Sequence, residues 1–143
     1  MALSQAEAGK YSTIAAGCVA DDNAIQGNTY DTGGHGVFAR YQKTVRLICN
    51  VQDPSSLQGY IYLYFRSTVA DGTVTAKLKS AAFGSTSTTT HTTCSSGGGG
   101  GSYDSCYMFS SPDADSRHYW FEVTIARTNF TTANPEFLGI RTQ

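Results

Sequence analysis

Residues 60–66 read Tyr60-Ile61-Tyr62-Leu63-Tyr64-Phe65-Arg66, and their parity decides the fold class. Ile61, Leu63 and Phe65 fall on one side of an extended chain, while Tyr60, Tyr62, Tyr64 and Arg66 fall on the other. Successive side chains of a strand point to opposite faces, so a two-residue period with one apolar side describes a half-buried β-strand. The same period recurs on both flanks. Val45, Leu47, Cys49 and Val51 alternate with Arg46, Ile48 and Asn50, and Val74, Ala76 and Leu78 alternate with Thr73, Thr75, Lys77 and Lys79. In 118–127, Tyr119, Phe121, Val123 and Ile125 share the apolar side. These runs predict a core lined by Val45, Leu47, Val51, Ile61, Leu63, Phe65, Val74, Leu78, Phe121, Val123 and Ile125.

Weaker alternation predicts strands over 10–16, 36–41, 86–93, 107–110 and 136–141. Turn-forming clusters separate them, among them Gly33-Gly34, Asp53-Pro54, Ser111-Pro112 and Asn134-Pro135. Asp71-Gly72, between two alternating runs, reads as a hairpin turn because Gly accepts the positive φ such turns require. No 3.6-residue period lasts three turns, and residues 2–9 offer one short helical turn at most. About seven to nine short strands, without a repeat or a composition break, predict one all-β domain over 1–143: an antiparallel β-sandwich with an N-terminal arm at 1–9.

Composition agrees. Charged residues make up 15 % of the chain, against roughly 25 % in an average soluble domain. Ser, Thr, Gly and Tyr fill the gap, and Thr and Tyr suit a pleated, half-buried face. A net charge of −1, with Lys and Arg scattered, gives no electrostatic basis for binding nucleic acid or an anionic membrane. No run approaches the ~20 apolar residues of a membrane span. The start, Met1-Ala-Leu-Ser-Gln-Ala6, lacks the basic and apolar regions of a signal peptide, although Ser4-Gln5-Ala6 has small residues where a signal peptidase cuts.

Four cysteines, Cys18, Cys49, Cys94 and Cys106, form no CxxC pair and allow three disulfide pairings that sequence does not choose between. Local closure favours Cys18–Cys49 and Cys94–Cys106, which would make 94–106, with its run Gly97–Gly101, a Gly-rich loop tied by a disulfide. A phosphate cradle is excluded there, since no Lys-Ser/Thr pair or helical pattern follows the glycines. A zinc site built from His91, Cys94, Cys106 and His118 has cysteines spaced too widely and leaves Cys18 and Cys49 unexplained. Disulfides place the protein outside the cytoplasm.

Catalytic constellations are missing from the sequence. His35, His91 and His118 lie in separate segments, the three Glu stand apart from other carboxylates, and there is no GxSxG motif. Asp21-Asp22 and Asp113-Ala-Asp115 fall short of a calcium loop and read as turn acids. Asn129-Phe-Thr131 has the form of a glycosylation sequon. No metal or other cofactor is expected, nor an enzyme. The tyrosine row is the functional clue: Tyr60, Tyr62 and Tyr64, with Arg66 beside them and Trp120 extending the surface if the strands pair, offer large contact area with polar tips.

Seven features follow one another along the chain: Cys18, Val45-Arg-Leu-Ile-Cys49, Tyr62-Leu-Tyr-Phe-Arg66, Asp71-Gly72, Cys94-Ser-Ser96, Trp120-Phe-Glu-Val-Thr-Ile-Ala-Arg127 and Pro135-Glu-Phe-Leu-Gly-Ile140. In this order, from about Cys18 to Ile140, the chain resembles small exported bacterial β-sandwich proteins without an assigned activity. It departs from them in having Asn50 after Cys49, where Pro is usual, and in its pentaglycine. The resemblance implies export, disulfides and a sandwich. The main functional expectation is therefore a secreted or cell-surface structural protein that self-associates into an oligomer or filament. The alternative is a carbohydrate-binding, lectin-like module that holds glycans on the aromatic strand face.

Overall fold

A computed structural model describes residues 11–21, 30–34, 36–40, 43–57, 59–67, 72–96, 101–107, 112–127 and 135–142, with the backbone course alone for 67 and 101–107. They form a sandwich of two antiparallel sheets. Sheet A joins β3 (Tyr30–Gly33), β4 (Gly36–Ala39), β11 (Glu136–Thr142), β6 (Tyr60–Ser67) and β9 (Gly101–Tyr107) in that order, and β1 (Ser12–Ile14) also pairs with β11. Sheet B runs β2 (Val19–Ala20), β5 (Thr44–Val51), β10 (Arg117–Arg127), β7 (Gly72–Ala82) and β8 (Thr89–Ser95).

Period-two runs become strands because each can bury one face against the opposite sheet. All eleven residues expected in the core are buried there at 5 % exposure or less, so the parity assignment holds across both sheets. Phe121 shows how tightly they interlock. It sits in register between Cys49 on β5 and Leu78 on β7, and the Tyr11 ring packs 5.4 Å from its centroid. Leu57, Phe137 and Ile140 complete the core from positions whose alternation is too short or broken to stand out in sequence.

Three expectations are corrected. Asp71-Gly72 does not join a hairpin, because β6 belongs to sheet A and β7 to sheet B. Gly72 is needed for another reason: its φ is +136°, and a Cβ there would lie 1.8 Å from the Ala126 carbonyl oxygen across the β7–β10 ladder. The 94–106 segment is less of a loop than expected, since β8 runs to Ser95 and β9 starts at Gly101, where it pairs with β6. The strands β2 and β3 were not expected; two to four residues are too few for a period to register. The residues expected in the N-terminal arm, together with His35, Asp22 and the 129–131 sequon, lie outside the described residues.

Cys18 and Cys49 are disulfide-bonded, as expected, across a sequence separation of 31. Cys94 is also disulfide-bonded and buried, while the side chain of Cys106, the other end of the expected second bridge, lies outside the described residues.

Candidate functional site

The inward side chains of β6 are Ile61, Leu63 and Phe65, so Tyr60, Tyr62, Tyr64 and Arg66 stand on the outer face of sheet A. Strand rise sets successive members of this row about 7 Å apart. Tyr60 is half exposed, at 50 %. Trp120 does not join the row. Its strand, β10, lies in sheet B, where Phe121 points inward and Trp120 stands outward in register with Asn50 and Lys79. The two aromatic features expected to form one surface are thus on opposite outer faces of the sandwich. Sequence parity shows that Trp120 opposes Phe121, but not which sheet receives the strand.

The neighbour of β6 sets a groove beside the row. Arg66 stands opposite Glu136 and pairs with it at 3.5 Å, at the exposed end. Arg141 lies opposite Tyr62 and holds its guanidinium carbon 5.1 Å from the ring centroid, a cation–π contact that occupies one side of that ring. Tyr64 is placed differently. Its partner on β11 is Gly139, which brings no side chain from that strand, and the ladder is irregular between Phe137 and Gly139, at Leu138.

Gly139 also fixes the far wall. A Cβ there would come 2.5 Å from the Thr13 carbonyl oxygen, so only glycine lets β1 close onto this stretch of β11. With β1 in place, Ile14 stands opposite Gly139 and is 53 % exposed. Tyr64 and Ile14 become the walls of a groove floored by Gly139, with Leu138 and Arg141 along it and a volume of about 310 Å³. The signals for this groove, a lone Gly139 and an exposed Ile14, become meaningful only when three strands far apart in sequence are set side by side.

A polar group closes the core at the other end of sheet B. Buried Ser80 accepts a hydrogen bond from Arg117 Nε at 2.8 Å and lies 2.6 Å from His91 Nε2. Arg117 also donates to Thr89 at 3.1 Å, and the His91 ring packs on Tyr119. With Arg117 donating to the Ser80 oxygen, the Ser80 hydroxyl is free to donate to a neutral His91. Burial pushes His91 below its ordinary value of 6.5, and the Arg117 guanidinium adds to the shift. His91 therefore binds its proton less well folded than unfolded, so stability falls as pH drops from about 6.5 through the lower folded value. A urea midpoint lower at about pH 5 than at about pH 7, with the difference reduced in His91→Gln, is the expected outcome. An identical pH dependence in the two proteins would show that His91 does not carry it. His118 instead packs edge-on against Phe83, with ring centroids 4.3 Å apart, and among the described residues no cluster of His, Cys, Asp and Glu is arranged to hold a metal.

No family model matches the chain, and no curated protein does. Solved structures do. The fold is shared with a xylan-binding module. That structure, the low-affinity module CBM86 from Roseburia intestinalis, superposes with a TM-score of 0.52 over 94 % of each chain, at 11 % sequence identity. A family 29 carbohydrate-binding module from Piromyces equi matches 94 % of this chain and 91 % of its own, at 11 % identity and a TM-score of 0.41. At such identity the first likeness is one of architecture: two packed antiparallel sheets. Among the described residues no helix is long and apolar enough to cross a membrane.

Proposed function

We propose that this protein is a non-catalytic polysaccharide-binding module that acts outside the cytoplasm, and that the Tyr64–Ile14 groove receives the sugar chain. The groove itself carries the reading. A pyranose ring presents apolar C–H faces and a rim of hydroxyls, and needs a flat aromatic wall together with polar groups at its edge. Tyr64 supplies the wall, and Arg141, Ser12 and Thr13 line the same cavity. Tyr62 and Tyr60 continue the row along β6, far enough for more than one ring.

The Cys18–Cys49 disulfide supports an extracellular setting, as does the architecture shared with a module that binds xylan. The ligand on this reading is neutral, in keeping with the chain's net charge of −1 and with Arg141 as the single cation along the groove among the described residues. We prefer this reading to self-association because, among the described residues, the tyrosine row borders a groove, a shape suited to a narrow chain.

Electrophoresis through gels containing soluble xylan, mixed-linkage β-glucan or glucomannan tests it. Retardation by at least one of them is expected. Tyr64→Ala should weaken that binding by about 2 kcal/mol, roughly thirtyfold, as for an aromatic hot spot. Its mass by light scattering should match the parent protein. Unretarded migration in all three gels, or full retention by Tyr64→Ala, would overturn the proposal.

A further inference from the structure

β1 is a ridge with a cavity on each side. The Tyr64–Ile14 groove lies on one flank. On the other is a second cavity of about 370 Å³, lined by Tyr11, Ser12, Thr13, Asn50, Gln52 and Asp53, at the edge where sheets A and B meet. Ser12 and Thr13 line both cavities, so only the width of one three-residue strand separates them. We infer that the two cavities form one track for a single neutral sugar chain, so that the site takes an internal stretch of a linear polysaccharide lying across β1.

The inference rests on the polysaccharide reading above, and the chemistry of the second cavity argues it further. It shares Ser12 and Thr13 with the first and differs in adding amides at Asn50 and Gln52 and a carboxylate at Asp53. Each amide offers both a donor and an acceptor, which suits neighbouring hydroxyls on a sugar ring. Among the described residues that line it none is cationic and one is acidic, which disfavours an anionic ligand. Gly17 lines the cavity too, where a Cβ would come 3.0 Å from the Thr13 hydroxyl oxygen. One half of the track thus offers ring stacking and the other hydroxyl recognition. Strand β2 pairs with β5 only at Leu47 and Ile48, which leaves Asn50 exposed beyond the end of that ladder.

Calorimetry with a disaccharide and a hexasaccharide from each of the xylan, β-glucan and mannan series tests the track. A longer chain gains apparent affinity simply from having more registers in which to bind, so the decisive comparison is with Asn50→Ala/Gln52→Ala. Both residues are exposed, and the melting temperature of this double variant should stay unchanged. It should bind the hexasaccharide about tenfold more weakly than the parent protein and the disaccharide equally well, whereas Tyr64→Ala should weaken both. Undiminished hexasaccharide binding by the double variant overturns the track and leaves the groove as a one-cavity site. Retention of no polysaccharide by the parent protein removes the polysaccharide reading and the track with it.

Discussion

Replacing Phe121 by alanine is expected to cost about 3–5 kcal/mol of folding stability, the range for truncating a large buried aromatic side chain. Phe121 is 0 % exposed at the centre of β10, the middle strand of sheet B. Its register neighbours, Cys49 and Leu78, are fixed in their own ladders, and the opposing sheet is held by Leu63 and Phe65. Little can move inward to fill the space, so the lost transfer energy and the cavity add. Domains have about 5–15 kcal/mol of stability in all, so this one substitution removes a large share. Urea denaturation should show a lower midpoint with an unchanged slope. A loss below about 1 kcal/mol would mean the core collapses around the site more readily than the ladders suggest. Because Tyr11 packs on Phe121 and also lines the second cavity, the variant should additionally weaken binding of long oligosaccharides.

Removing the Cys18–Cys49 bridge should have an effect of similar size. It closes a loop of sequence separation 31, for which chain entropy gives a little under 4 kcal/mol. At this chain length that corresponds to a fall of roughly 10 °C in melting temperature. The bridge also has a local role. It ties the segment carrying β1 and β2 to β5, whereas their own ladders amount to three and two residues. In Cys18→Ala/Cys49→Ala, β1 should therefore loosen before the sandwich melts, and its amides should exchange faster than those of β10. A melting temperature within about 2 °C of the parent protein would show that the ladders and Tyr11 hold the segment unaided.

The burial pattern was legible in sequence because it is local. Val123 and Ile125 declare their face through the residues beside them, and the sheet then pairs runs that already alternate. Cys18–Cys49 could be proposed from cysteine number and proximity along the chain. The assignment of strands to sheets could not be read, because most connections pass from one sheet to the other. Asp71-Gly72 looks like a hairpin turn for its two residues, and nothing local records that β7 leaves for sheet B. Trp120 illustrates the same limit. Its parity was right, and its neighbours depended on that crossing. The groove was least legible of all, since Gly139 and Ile14 acquire their meaning from contact across more than a hundred residues.

β11 pairs with β6 on one edge and with both β4 and β1 on the other. The strand that unites sheet A is thus made last of all the strands described. While a ribosome is still adding residues 136–142, β1, β4 and β6 have emerged without the strand that joins them, and Ile14 and Tyr64 have no common floor. Sheet A and the groove it carries are expected to form together, once synthesis has passed residue 142, so the nascent chain is without that groove until then.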